Sequence, residues 1–339
     1  MEELSDTNLD RQLHTISPEQ CLIRQLINPI RFSRTLIQLG YEPLPPYRSL
    51  HPLALFGWSK PLFFYPNMFA YARYLFHKRG FWYVMTTGFQ ARFFCDLLTD
   101  ACQFMNRRFM LENSSYSLPP PSNVDSFVFA DPNPTTDENL HAKRWNGLVE
   151  NIMEETTLWK FGVHLSGLLA MKAYEIILTQ PFYVIMVRQM ASFVGGESGY
   201  TWFHQAVWSI YKESGLAGFV QGFWPRLFCE SIRLILYFSA CRFIRRHVLS
   251  LCDRENGLLV PLRTLLLIII TNCTYRYEVV TCMMAVRGSG LVAAREANTF
   301  TSWRSCRRAL TETGQANRGC MPFWRGYVQA KHLTALQAE

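Results

Sequence analysis

The 339-residue chain is poor in charge: Asp, Glu, Lys and Arg make up 18% of it, against about 25% in an average soluble protein. It also lacks the polar composition of a disordered chain, the glycine repeat of collagen and the charged heptads of a coiled coil. Ten cysteines occur without one C-x-x-C pair, which argues against a zinc module or a thioredoxin-type site. Cys229, Cys241, Cys273 and Cys282 sit inside apolar runs, as small buried hydrophobes of a reducing compartment do. No phosphate-loop, dinucleotide, zincin or nucleophile-elbow pattern occurs, so no enzyme chemistry, cofactor or metal is expected. The opening MEELSDTNLD is acidic and polar, unlike a secretory signal or an Arg-rich presequence, and a membrane address is expected in the body of the chain.

Apolar residues are abundant instead, at 49%, with 25 Phe, 15 Tyr and 9 Trp. The net charge is +8. Its bases gather at Arg107–Arg108, Arg242–Arg246 and Arg304–Arg308, at the ends of apolar segments where anionic lipid headgroups would meet them. No nucleic-acid partner is expected. Residues 112–156 stand apart, with eight acids against Lys143 and Arg144, and with Pro119, Pro120, Pro121, Pro132 and Pro134. They read as a solvated linker.

Three apolar stretches follow, Leu158 to Phe193, Gly218 to Leu251 and Leu258 to Val286. Each exceeds the roughly 20 helical residues that cross a bilayer. Residues 19–39 and 85–110 are weaker, because they hold Arg24, Arg31, Arg34, Arg92, Asp96 and Asp100. Internal repetition supplies the argument for them. Pro29 in INPIRFSRTLIQ and Pro181 in TQPFYVIMVRQM have similar settings. GFQARFFCD and GFWPRLFCE share a Gly-Phe-x-x-Arg step at Gly88 and Gly222, each with an acid four residues after the arginine, Asp96 and Glu230. A poorer third copy runs from YRYEVVTCMMAVR to FWRGY. Between the paired helices, 69–78, 203–213 and 301–312 mix aromatic, aliphatic and charged positions before a glycine, the pattern of amphipathic surface helices.

This pattern resembles the mitochondrial carrier superfamily, whose signature is Pro, an acid two residues on and a base three further on. The departures are informative. In the second copy the acid and base positions are Tyr183 and Met186, with Arg188 the nearest base; in the first they are Arg31 and Arg34; in the third the proline itself is Arg276. The salt-bridge network that closes a carrier's gate is therefore expected not to form. After Gly326 only residues 327–339 remain, so five membrane helices are expected and the sixth is lost. With QLGYEPLPP at 38–46 and TCMMAVRGSGL at 281–291, these departures resemble the mitochondrial carrier homolog family. The expected fold is an all-α membrane protein with a carrier-like threefold repeat and amphipathic surface helices. Its divisions are a polar tail 1–18, repeat 1 at 19–111, the linker 112–156, repeat 2 at 157–252 and a truncated repeat 3 at 258–339.

The resemblance implies a multi-pass protein of the mitochondrial outer membrane. Its implied role is insertion of tail-anchored and other helical outer-membrane proteins, with a link to apoptosis. Docking of a pro-apoptotic BH3 protein and lipid scrambling are the alternatives it carries, with membrane lipids as partners in each. A solute carrier is the less favoured reading.

Polar stripes support a site within the membrane. Arg226, Glu230, Arg233 and Tyr237 share a helical face, as do Arg92, Asp96 and Asp100, and Lys172, Glu175 and Thr179. An ionised group at bilayer depth costs about 2.5–3.5 kcal/mol on insertion scales, so such faces must meet one another or water. Arg226 with Glu230 and Arg92 with Asp96 are the expected structural pairs. Arg34 and Glu230 match polar groove positions of the family, and Tyr275 opens its fifth-helix motif. Arg188, Lys172 and Arg276 are further groove candidates, any of which can instead reach a headgroup. Pro29, Pro181 and Pro225 are expected to bend helices around the groove. Gly162, Ser166 and Ala170 are expected to mark close helix packing.

Overall fold

A computed structural model describes residues 26–49, 62–112, 158–247, 259–323 and 325–326. The polar tail 1–18, Arg24 and all but the first residue of the linker 112–156 lie outside the described residues. The chain is mostly helical. Its first helix is α1 (Asn28–Gln38), and its long helices are α4 (Phe89–Glu112), α5 (Leu158–Gly195), α7 (Phe223–His247) and α8 (Leu259–Val286). The other helices, shorter than these four, are α2 (Met68–Arg79), α3 (Phe81–Thr86), α6 (Phe203–Ser214), α9 (Arg295–Asn298) and α10 (Trp303–Glu312). Leu158–Gly195 and Thr264–Val286 are long and apolar enough to cross a membrane. The α4 and α7 helices are long enough too, but their charged stripes dilute the apolar character.

The short helices carry local start and stop signals. Asn67 caps α2 by accepting from the Ala70 amide at 2.7 Å, and His77, Lys78 and Arg79 fill its last turn, where bases complement the helix dipole. Ser302 and Ser305 form a capping box at the start of α10.

The all-α expectation misses one feature, a small antiparallel sheet of β1 (Tyr47–Ser49), β2 (Leu62–Tyr65) and β3 (Arg325–Gly326) in that order. Tyr47 pairs with Phe64, and Tyr65 with Arg325. The LFFY run of β2 is the aromatic, strand-forming kind that a helical reading overlooks.

The chain divides into two compact units whose boundaries fall inside the four longest helices. One unit draws on residues 1–97, 180–225 and 276–339, and the other on 98–179 and 226–275. In the first, α1, the surface helices and the sheet surround buried Phe32, Leu36, Tyr71, Leu75, Phe193 and Val280. Within it Arg318 donates to the Gln38 carbonyl at 2.8 Å, and Arg325 pairs with Glu42 and donates to the Pro66 carbonyl. The segment after α10 thus holds the end of α1 and the GYEPLPP string. In the second unit, Phe161, Leu168, Leu234, Tyr237, Phe238, Cys241, Leu267 and Ile270 form the core.

The two Gly-Phe-x-x-Arg segments occupy equivalent settings in the first unit. The Asn28 amide, just before Pro29, donates to the Thr87 carbonyl, just before Gly88; the Gln180 amide, just before Pro181, donates to the Gln221 carbonyl, just before Gly222. Gly88 and Gly222 both have φ of 75°, a conformation that favours glycine. Gly88 packs on Met186 and Met190, and Gly222 on Thr281 and Ala285, which are the fifth and ninth positions after Pro181 and Arg276 respectively.

Candidate functional site

The second unit gathers a dense set of charges on its apolar helices. On α5, Lys172 donates to Glu175 at 2.8 Å, and both side chains are less than a tenth exposed. The Thr179 hydroxyl donates to the Glu175 carbonyl and accepts from Arg226 of α7 at 3.2 Å. One turn on, Glu230 pairs with Arg233 at 3.0 Å, and the positive charges of Lys172 and Arg226 also act on its carboxylate. Arg233 reaches the Cys229 thiol, which in turn donates to the Thr274 carbonyl of α8.

The order along the helices explains the gathering. On α5 the stripe is apolar from Phe161 to Leu168 and polar from Lys172 to Thr179; on α7 it is polar from Arg226 to Arg233 and apolar from Leu234 to Cys241. The Arg226–Thr179 contact sets polar segment against polar segment, which leaves the apolar segments to form the core. Pairing offsets the cost of placing these ions among apolar helices. The Glu230 side chain is still 25% exposed, against 4% for Glu175, so of the two carboxylates it is the one a visiting group can reach.

The first unit holds the other polar candidates. Arg92 and Asp96 form the expected pair at 3.0 Å. Arg34 meets Glu278 of α8 at 3.0 Å. Glu278 lies two residues after Arg276, at the acid position of the third copy, and Arg34 is at the base position of the first. The sequence reading expects the gate network not to form, and one ion pair nevertheless stands at two of its motif positions. Its signal was visible in the spacing but hidden by the arginine that stands where the proline would be.

Arg188 is completely buried and makes four contacts. It donates to the Ala285 and Arg287 carbonyls at 3.1 and 3.2 Å, to Gln221 at 3.3 Å and to Glu213 of α6 at 3.5 Å. Tyr200 donates to the same Glu213 carboxylate at 2.7 Å; burial and that bond hold its phenol above the usual range. Arg188 thus ties α5, α6 and the end of α8 together and offers little to a ligand. None of its partners stood out in the sequence.

The remaining candidates are dispersed. Tyr275 is buried at 1% exposure, whereas Arg276 is exposed. Of the three prolines expected to bend helices, only Pro181 is inside one. Pro29 and Pro225 stand in the first turns of α1 and α7, where the missing N–H has no helical acceptor to lose, so they start helices rather than bend them. Gly162, Ser166 and Ala170 are exposed, and a Cβ at Gly162 would meet nothing within 4 Å; among the described residues they pack no helix. No group of three or more metal-ligating side chains occurs among the described residues.

Comparison with known proteins agrees with this architecture. The family model described as mitochondrial carrier protein matches residues 160–250. Mitochondrial carrier homolog 2 of Mus musculus is 27% identical over 306 residues, covering 88% of this chain and 89% of the relative. The Homo sapiens protein of that name is 26% identical over the same shares. Mitochondrial carrier homolog 1 of Mus musculus is 25% identical over 323 residues, covering 89% of this chain and 74% of the relative. The chain is similar to mitochondrial carrier homologs over most of its length, and to the mitochondrial carrier model over residues 160–250.

Proposed function

We propose that this protein is a non-enzymatic insertase of the mitochondrial outer membrane. It would accept tail-anchored and other helical proteins along a polar groove open to lipid. In this reading three carrier-like repeats supply five spans, beginning in the segment 19–39 that contains α1 and continuing with α4, α5, α7 and α8. The equivalent settings of Gly88 and Gly222 support the repeat.

The observation that carries the reading is the set Lys172, Glu175, Arg226, Glu230 and Arg233 among apolar helices, with Glu230 partly exposed. A hydrophilic flank crossing a bilayer alone loses its hydrogen bonds to water. A line of fixed charges and hydroxyls replaces some of them and lowers the barrier. The test is insertion of a purified tail-anchored substrate into liposomes that contain the protein. Glu230→Lys is expected to change the insertion rate with the melting temperature held. An unchanged rate with folding intact overturns the reading.

The Arg34–Glu278 link favours a second reading, a solute carrier, since it stands at gate-motif positions. One link does not close a ring of three. Uptake of labelled metabolites into proteoliposomes separates the two readings, and no uptake above protein-free vesicles is expected.

A further inference from the structure

An aromatic box stands at the end of the surface helix α2. Phe193 forms its floor, 2% exposed, and is braced edge-on by Phe32 at 5.6 Å and by Tyr41 at 6.4 Å. Tyr41 and Tyr74 are its walls. The ammonium of Lys78 lies 5.9 Å from the Tyr41 ring centre and 5.6 Å from those of Tyr74 and Phe193. Next to it the Arg79 guanidinium lies 5.8 Å from the Tyr83 ring and 6.0 Å from Phe193. One cation within about 6 Å of three ring faces is the geometry by which proteins hold quaternary ammonium groups.

We propose that Tyr41, Tyr74 and Phe193 form a binding site for the trimethylammonium headgroup of a choline phospholipid, with Lys78 as a tethered occupant that the headgroup displaces. Four observations lead there. The box is pre-formed before anything binds, because the Tyr71 hydroxyl donates to the Tyr41 carbonyl at 2.7 Å and buried Phe193 is held edge-on by Phe32 and Tyr41. Its present occupant is an exposed side chain on a flexible stem, which can leave at small cost. Lys78 donates to the Tyr41 hydroxyl at 3.2 Å and keeps its charge, since hydrogen bonds to Tyr74 and Tyr41 raise its pKa; the box therefore already selects a cation. Finally, Arg79 lies beside the box, where the phosphate of a choline lipid would follow the ammonium. A Cβ on Gly196 would come within 2.8 Å of an Arg79 nitrogen, so the glycine leaves Arg79 room to stay there. None of these residues belongs to the polar cluster of the second unit, so the site stands or falls apart from the insertase reading.

The test is native mass spectrometry of the full-length protein with phosphatidylcholine and phosphatidylglycerol of identical acyl chains. The wild type is expected to retain phosphatidylcholine in preference. Lys78→Ala removes the tethered competitor and is expected to raise phosphatidylcholine occupancy about fivefold without raising phosphatidylglycerol. Tyr74→Leu, on the outer wall, is expected to abolish the preference while phosphatidylglycerol binding persists. Melting curves of both variants establish that they fold. If Lys78→Ala leaves phosphatidylcholine occupancy unchanged, or Tyr74→Leu lowers both lipids alike, the box serves only to hold Lys78 and the proposal fails.

Discussion

Arg34 of α1 and Glu278 of α8, 244 positions apart in the chain, face each other at 3.0 Å. In the motif spacing read from the sequence, Arg34 is five residues after Pro29 and Glu278 two after Arg276, so a single ion pair joins two widely separated segments. Its strength is modest. The side chains are 37% and 32% exposed, and a pair so accessible contributes about 0.2–1 kcal/mol. Arg34→Ala and Glu278→Ala are each expected to cost about that much, while the exchange Arg34→Glu with Glu278→Arg recovers most of it. A double-mutant cycle by thermal melting measures the coupling, and additive losses would remove the pair from the account.

Arg188 predicts a larger effect. Replacing it by Leu leaves the Ala285 and Arg287 carbonyls and the Glu213 carboxylate without their donor. Breaking a buried charged pair in this way costs about 3–5 kcal/mol. Arg188→Lys keeps the charge but loses the forked geometry, and is expected to fall between. Melting temperatures in detergent rank the three, and an Arg188→Leu variant as stable as wild type would contradict the hub.

The two repeat glycines should respond unequally. Alanine at either takes on a φ near 75°, which costs about 1–2 kcal/mol. At Gly88 the new Cβ meets the ends of Met190 and Met186 side chains, which can move. At Gly222 it comes within 3.0 Å of the Thr281 carbonyl and 3.3 Å of the Ala285 amide, backbone that cannot. Gly222→Ala is therefore expected to be the more destabilising, and equal melting temperatures would show that contact with α8 is not what requires the glycine.

Adjacent positions on α7 test the groove. Cys229 is 3% exposed, whereas the Glu230 side chain is 25% exposed. In liposomes a water-soluble maleimide is expected to leave Cys229 unmodified and to label a cysteine introduced by Glu230→Cys. Both residues lie at one depth, so the contrast reports access by water rather than distance from the bulk. Equal resistance of both positions would mean that Glu230 faces a dry surface.

Much of this was legible in the sequence because it is local. Pairs three or four residues apart on a helix are neighbours whatever the rest of the chain does, and Arg92 with Asp96 followed from spacing alone. Apolar length marked the long helices α5 and α8, and the Gly-Phe-x-x-Arg step marked two repeat copies. The same local logic failed at Pro29 and Pro225, because a proline starts or bends a helix according to where the preceding turn ends. It failed again at Gly162, Ser166 and Ala170, whose spacing suits helix packing but whose face is exposed.

The sequence by itself settled composition, helical class and the presence of ions in apolar helices, since each depends on residue type and on separations of a few positions. Only the tertiary structure decided which ions are structural and which are reachable. Arg188 and Glu230 read alike as charges in apolar runs. The first is sealed by carbonyls 97 and 99 residues away, and the second keeps a quarter of its side chain open. The aromatic box around Lys78 likewise joins Tyr41 of the loop after α1, Tyr74 of α2 and Phe193 of α5. The physical reason is that burial and cation–π contact are properties of packed surfaces, and packing brings together residues whose order along the chain carries no trace of their meeting.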